Sequence, residues 1–130
     1  MSAACPCGRS DVRGRAIAYE LCCGRYLDGE TLAPDTESLM RSRYSAFVLG
    51  RVDYLRNTWH PRTCPADLAL EPGQKWLGLA VRAHRTLSAD QAEVEFVARS
   101  RYAGRGIRLH ETSRFERVDG RWLYLDGDLH

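Results

Sequence analysis

Residues 5–10 read CPCGRS and residues 19–30 read YELCCGRYLDGE, so four of the five cysteines of this 130-residue chain fall within its first 23 positions. The spacing is Cys-x-Cys, then fourteen residues, then Cys-Cys. Zinc takes four soft ligands in a tetrahedron, and a short loop between two cysteine pairs brings four thiolates together at a small entropic cost. We therefore predict a zinc site formed by Cys5, Cys7, Cys22 and Cys23.

Spacing alone leaves other roles open for these cysteines. Each pair is closer than the roughly two to four intervening residues usual in zinc fingers, so Cys22 and Cys23 are equally compatible with a reactive vicinal thiol pair or with plain buried cysteines. The chain has no long apolar run and no basic-then-apolar leader, which places it in a reducing cytoplasm without membrane association. Disulfide bonds are the least favoured interpretation there, and Cys64 is expected to be a free thiol.

Composition sets broad limits on the rest of the chain. With 44% hydrophobic residues, 28% charged residues and a net charge of +2, it fits one compact soluble domain with a small appendage. The charge excess is too small to indicate nucleic-acid binding. A basic run with Tyr102 could contact phosphates, but glutamates on the same strands favour cross-strand pairing on a solvated face. The run is Arg99, Arg101, Arg105 and Arg108, and the glutamates are Glu93, Glu95, Glu111 and Glu116.

Apolar residues at helical spacing over 36–50 predict an amphipathic helix. Asp35 or Thr36 would cap its start and Gly50 would follow its end. The apolar positions are Leu39, Met40, Tyr44, Phe47 and Val48. Arg43 falls on the same stripe and therefore needs a carboxylate partner, unless its side chain reaches the surface.

A shorter helix is predicted to start at Asp53 and to end before Pro61. From about residue 75 the apolar period changes to two, and Asp119-Gly120 is a hairpin signal, which together predict four antiparallel strands. Helices followed by a meander predict an α+β domain with the helices on one face of the sheet. The predicted rows are Leu77, Leu79 and Val81; Val94, Phe96, Ala98, Ser100 and Tyr102; Ile107, Leu109, Glu111, Ser113 and Phe115; and Leu123 and Leu125, alternating with Trp122 and Tyr124.

CPCGRS followed by a final adjacent ligand pair resembles the SEC-C motif, the zinc knuckle at the C-terminus of the SecA translocation ATPase. Across nearly the whole chain, further strings resemble the YchJ-like family of uncharacterised bacterial proteins, although the loop around DVRGRA is longer here. This resemblance implies a zinc knuckle over 1–30 and a nuclear transport factor 2-like α+β domain over 31–130, in which a curved, cystatin-like sheet wraps helices around a pocket. The strings are LMRSRYSAF (39–47), TWHP (58–61), VEFVAR (94–99), HETSRFER (110–117) and RWLYLDG (121–127).

Two polar residues interrupt a core-facing strand row and need partners. Leaving a buried polar group unpaired costs on the order of 1–3 kcal/mol. We therefore expect Glu111, which shares a face with Ser113, to pair with Arg43. The alternative makes Glu111 a general base at the floor of a pocket, assisted by His60 or His110. His110 would project to the opposite face, which argues against cooperation between the two.

These patterns favour a non-catalytic zinc-binding protein whose knuckle is a folding staple and a docking surface. By analogy with the SEC-C motif, the partner is a protein such as a chaperone, or the ribosome. The alternative is a small-molecule-binding protein or enzyme, with Arg43, Trp59, Glu111 and Ser113 lining the pocket. Familiar enzyme motifs are absent from the sequence. The last strand is apolar on both faces, which is compatible with a monomer covered by the knuckle or with a homodimer.

Overall fold

The computed structural model describes residues 3–130. Within that range three helices precede one antiparallel sheet, in which each strand pairs with the next along the chain. The predicted α+β class is confirmed. The elements are a 3-10 turn (Tyr19–Leu21), α1 (Gly24–Leu27), α2 (Thr36–Leu49), α3 (Val52–Asn57), β1 (Lys75–Thr86), β2 (Gln91–Tyr102), β3 (Arg105–Val118) and β4 (Arg121–Leu129).

Helix α2 is the main helix packed against the sheet. The Asp35 carboxylate accepts a hydrogen bond from the backbone N–H of Ser38 (2.7 Å), and Gly50 ends the helix with a φ of 73°. Both terminal signals were predicted from the sequence. The apolar face is buried at Leu39, Met40 and Tyr44. Val48 was expected on that face but is 38% exposed, because the face runs out at the last turn.

Helix α3 differs from its prediction at both ends. It follows Arg51 instead of beginning with a cap at Asp53, and no side chain caps it. Its last turn is closed by Thr58, whose hydroxyl donates to a carbonyl of that turn (2.7 Å). Trp59 therefore lies beyond the helix, where it forms an isolated parallel bridge with Tyr124. After α3 the chain therefore packs against β4.

The sheet has the expected hairpin between β3 and β4. Asp119 and Gly120 have φ values of 52° and 80°, as a tight turn between twisted strands requires. In β1 a register shift beside Trp76 takes Leu77 out of the predicted row, whereas Leu79 and Val81 pack against the core as expected. Leu77 is 50% exposed, while the Trp76 ring packs against the rings of Tyr44 and Phe47.

The core lies between α2 and the middle of β2 and β3. Its strand side chains are Val94, Phe96, Ala98, Ser100, Ser113 and Phe115, all buried. Tyr102 and Ile107 were expected in the same rows but are 40% and 42% exposed. Residues 101–108 are exposed on both faces of the hairpin, so this end of the sheet extends beyond the packed layer.

Between residues 3 and 130, none of the helices combines the length and the apolar character needed to cross a membrane.

Candidate metal centre and sheet cavity

The four amino-terminal cysteines converge on one point. Their Sγ atoms all lie within 4.8 Å of one another, and all four residues are buried, with exposures of 6% or less. The Sγ atoms of Cys7 and Cys22 are 3.7 Å apart, and all four thiols are free of disulfides. Four thiolates about 2.3 Å from a zinc ion are separated by roughly 3.8 Å from one another. The donor set and its spacing therefore fit a tetrahedral zinc ion held by Cys5, Cys7, Cys22 and Cys23.

Two local turns deliver the cysteine pairs. The backbone N–H of Cys5 donates to the carbonyl of Ile17 (2.9 Å), and Gly8 turns the chain with a φ of 75°. The second pair follows the 3-10 turn, where a Cβ on Gly24 would meet the carbonyl oxygen of Tyr19 at 2.8 Å. The long loop between the pairs forms a hairpin tip over residues 10–16, which is exposed throughout. The loop length therefore does not keep the sulfur atoms apart.

Helix α2 packs against the cysteine cluster. Arg41 Nη1 donates to the carbonyl of Cys7 (2.9 Å), and Arg9 Nη1 donates to Ser38 Oγ (2.9 Å). The Sγ atom of Cys5 lies 3.6 Å from Ser45 Oγ. The four cysteines also belong to the same buried cluster as the apolar face of α2. The knuckle is thus packed into the domain and does not stand apart from it.

The cysteine thiols influence one another strongly. Hydrogen bonds from Cys23 and Cys7 lower the pKa of Cys5. The corresponding hydrogen bonds with Cys5 and Cys7 raise the pKa of Cys23, and burial raises the pKa of Cys22 to about 12. One thiolate is therefore stabilised by its neighbours, whereas complete deprotonation requires a cation among the sulfur atoms. Cys22 and Cys23 are 4% and 1% exposed, which leaves a redox partner little access to them.

A separate cavity of about 240 Å³ lies between α2 and the sheet. The four residues that the sequence placed in a pocket all line it: Arg43, Trp59, Glu111 and Ser113. Most of the remaining wall is aromatic or aliphatic, formed by Met40, Tyr44, Phe47, Trp76, Phe96, Ala98, Leu109 and Tyr124.

Arg43 is the buried cation of this cavity, with an exposure of 3%. Its Nη1 donates to the carbonyl of Leu55 (2.9 Å) and to Thr58 Oγ1 (2.7 Å). The guanidinium carbon lies 4.9 Å from the ring centre of Trp59 and 4.7 Å from that of Tyr124. Burial lowers the pKa of Arg43 to about 10. Compared with the ordinary value, this corresponds to a cost of roughly 3 kcal/mol for keeping the charge there.

The predicted ion pair between Arg43 and Glu111 is not formed. Glu111 Oε2 instead accepts hydrogen bonds from Ser113 Oγ (2.5 Å) and from the hydroxyl of Tyr124 (3.3 Å). Ser113 is the next residue on the same face of β3, so its hydroxyl contacts the Glu111 carboxylate in place of Arg43. Tyr124 was not predicted as a partner of Glu111, although the alternating pattern of β4 includes it.

Comparison with known proteins gives a consistent result. The family profile described as the YchJ middle NTF2-like domain matches residues 35–127. A UPF0225 protein of Polaromonas naphthalenivorans is 57% identical over 134 residues, covering 98% of each chain. A UPF0225 protein of Cupriavidus metallidurans is 54% identical, covering 98% of this chain and 89% of its own. The chain belongs to the YchJ-like family.

Two solved structures extend the likeness to the cysteine segment of this YchJ-like chain. One is the solution structure of a SEC-C motif containing protein from Rhodopseudomonas palustris, with 32% identity, a TM-score of 0.82 and coverage of 97% of this chain and 98% of the other. The other is the crystal structure of a SEC-C motif containing protein from Psychrobacter arcticus. It has 32% identity, a TM-score of 0.75 and coverage of 98% and 82% respectively. The NTF2-like α+β fold expected from the resemblance is confirmed.

The histidines of this YchJ-like chain do not join Glu111. His60 Nε2 lies 3.5 Å from Glu116 Oε1, and His110 Nε2 lies 2.8 Å from Glu95 Oε2, on the face of β3 opposite Glu111. Cys64, the fifth cysteine, is half-buried, and its thiol donates to the carbonyl of Pro65 (3.7 Å). Neither His60 nor His110 is therefore placed to assist Glu111 as a general base.

A second group of side chains capable of metal binding was not recognised from the sequence. Potential ligand atoms of Glu95, His110 and His130 lie within 4.8 Å of one another on the outer face of the sheet. The two histidine rings stack with their centres 4.3 Å apart, and His130 Nε2 lies 2.7 Å from Thr112 Oγ1. The alternating pattern of β3 and β4 gives the face on which each side chain lies. It does not give the strand register, which is needed to see that these three side chains are neighbours.

The arginine run does not pair as expected. None of its four members forms an ion pair with the four glutamates of these strands, which contact other groups. Arg99 lies directly opposite Arg108 in the register of β2 and β3. Cross-strand pairing does occur, but with other partners, since Glu93 pairs with Arg85 and Glu95 with His110. The pairing predicted for the arginine run itself is wrong.

Proposed function

We propose that this YchJ-like protein binds one zinc ion in the cytoplasm through its four clustered cysteines, and that the ion is structural. The observation that supports this is the convergence of four buried Sγ atoms within 4.8 Å of one another. A closed set of four thiolates leaves no coordination position for a substrate, as in structural zinc sites. Clustered, unpaired cysteines are also typical of a reducing compartment.

The bound ion fixes the amino-terminal segment on α2. Structural zinc contributes about 10–16 kcal/mol of apparent binding free energy in finger peptides, which is ample for a segment of this size. The contacts of Arg41 with Cys7 and of Arg9 with Ser38 then transmit this order to the helix. Zinc supplies a rigid cross-link here, and no step of catalysis is assigned to it.

The knuckle is a docking surface for another macromolecule, a protein or the ribosome. Two exposed apolar side chains on the knuckle support this role, since Val12 is 103% exposed and Leu21 is 68% exposed. Arg13 and Arg15 beside Val12 are exposed as well. A rigid apolar and basic tip can make contacts without the entropic loss of ordering a loose segment.

A Val12→Asp, Leu21→Asp double variant tests the docking role. Both side chains are exposed, so the variant should retain zinc and fold while losing partners captured by the immobilised protein from a bacterial lysate. The matched control is Leu129→Asp, an equally exposed leucine (71%) at the end of β4. Capture of the same partners by all three proteins, or of none by the wild type, would contradict docking through the knuckle.

A second candidate function is small-molecule binding in the sheet cavity, as a binding protein or an enzyme. The observation that favours it is the 240 Å³ cavity with an apolar wall and a buried guanidinium at its side. Apolar pockets with a few fixed polar groups are the usual form of ligand sites. Ligand-detected and protein-detected NMR with a fragment library tests it. Shifts confined to cavity residues would support binding, and their absence would contradict it.

A further inference from the structure

The buried charge of Arg43 is not balanced by a carboxylate in contact. Within residues 3–130, no ion pair involves its guanidinium, and Glu111, the carboxylate of the cavity wall, is bound by Ser113 and Tyr124. A buried charge is stable only when it is paired and hydrogen-bonded. The neutral groups around Arg43 satisfy part of this requirement and leave its positive charge unneutralised.

The guanidinium also keeps donors available. Its hydrogen bonds to Leu55 and Thr58 are donated by Nη1, whereas Nε and Nη2 donate to no residue in the described part of the chain. These two nitrogens form one edge of the guanidinium plane. Such an edge matches the two oxygens of a carboxylate through parallel hydrogen bonds.

We propose that the sheet cavity binds a small organic acid with a single negative charge, whose carboxylate pairs with Arg43 and whose apolar body lies among the aromatic side chains. This inference rests on the second candidate function, binding in the cavity. The volume of about 240 Å³ limits the ligand to a body about the size of one aromatic ring with a short side chain. Glu111, the acidic residue of the same wall, disfavours ligands with two or more negative charges.

Paired acids and amides test the proposal on the zinc-loaded, full-length protein. The probes are benzoate, phenylacetate and 3-phenylpropionate, each with its neutral amide of nearly the same shape. We expect at least one acid to shift the indole N–H resonances of Trp59 and Trp76, which line the cavity, without shifting that of Trp122. We also expect each amide to bind at least tenfold more weakly than its acid.

Two outcomes of this comparison are distinct. If acids and amides bind in the cavity equally well, the assignment of an anionic ligand is overturned, whereas small-molecule binding in the cavity stands. If no member of the series binds at 10-fold to 100-fold excess over the protein, both the inference and the second candidate function fail. Because the comparison uses the wild-type chain, it does not depend on the folding of a variant.

Charge-neutralising variants at the two polar ends of the cavity give a second test. Arg43→Met should abolish the preference for acids over amides, because it removes the cation. Glu111→Gln should keep or increase the affinity for the acids, because it removes a like charge while retaining an acceptor for Ser113 and Tyr124. Zinc content and amide spectra check the folding of both. Equal loss of acid binding in the two variants would overturn the proposed pairing with Arg43.

Discussion

At the scale of single residues, Gly127 sets how closely β4 approaches Glu111. A Cβ at this position would overlap the Glu111 carboxylate, including its Oε2 atom. We predict that Gly127→Ala lowers the free energy of unfolding by about 1–3 kcal/mol, because Glu111 must leave its contacts with Ser113 and Tyr124. Urea unfolding followed by tryptophan fluorescence measures the change.

The control is Gly78→Ala in β1. Space around Gly78 is open and its φ is not positive, so the added methyl group should be neutral or slightly stabilising. Equal stability of the two variants would show that Glu111 does not occupy the place described here.

Residue-level predictions succeeded where the chain itself sets the geometry. The alternation of β3 correctly placed Glu111 and Ser113 on one face. Asp35 caps the start of α2 and Gly50 follows its end, as predicted. The Arg43–Glu111 pair was wrong because the choice between partners depends on distances between separate elements. Two charged groups on apolar faces attract each other in principle, but each of these two makes its hydrogen bonds to neutral groups on nearby elements instead.

At the scale of elements, the side chain of Asp35 caps the start of α2, the main helix packed against the sheet. Asp35→Ala removes the acceptor for the Ser38 N–H and should reduce stability by about 1 kcal/mol. Thermal unfolding monitored by circular dichroism measures this loss. Asp53→Ala in the first turn of α3 is the control, since no side-chain cap exists there. A similar loss in both variants would argue against a specific role for the Asp35 cap.

Arg41 joins α2 to the cysteine cluster and gives a prediction of its own. It donates from Nη1 to the Cys7 carbonyl and from Nε to Glu37 Oε2 (2.8 Å). Arg41→Met should weaken zinc binding roughly tenfold, because groups outside the ligand set orient the ligands. Competition with a chromophoric chelator measures the affinity.

The matched control for Arg41 is Arg56→Met, an exposed arginine in α3. Its zinc affinity should equal that of the wild type. An unchanged affinity in Arg41→Met would show that the cysteine cluster holds its geometry without α2.

Element types were predictable from periodicity, but their limits were not. The period-two pattern predicted all four strands. Leu77 was nevertheless expected to be buried and is exposed, because the register of β1 shifts beside Trp76. Helix α3 ended early because Thr58 bonded back to its last turn, which left Trp59 for the cavity wall. Both differences come from tertiary packing, which a local pattern does not contain.

At the scale of the whole molecule, the cysteine cluster and the cavity lie on different sides of α2. The sequence motif predicted that the four cysteines come together, and the family resemblance predicted the NTF2-like domain. Periodicity alone did not predict the packing of the knuckle onto Ser38, Arg41 and Ser45.

Removing zinc should loosen one part of the molecule more than the rest. We predict that a strong chelator increases hydrogen–deuterium exchange over residues 3–28, while the amides of β2 and β3 stay protected. The reason is that the segment is held mainly by the cluster, whereas the strands pair on both sides. Uniform deprotection of the chain, or no change in the segment, would contradict this division.

The central claim is that four thiolates of one chain hold one zinc ion. Native mass spectrometry of the purified protein tests it most directly, with Cys7→Ser and Cys64→Ser as a matched pair. The account predicts one zinc ion per chain in the wild type and in Cys64→Ser, and loss of zinc in Cys7→Ser. A wild-type chain that carries no zinc after purification and reconstitution, or a Cys7→Ser chain that binds zinc as tightly as the wild type, would contradict it.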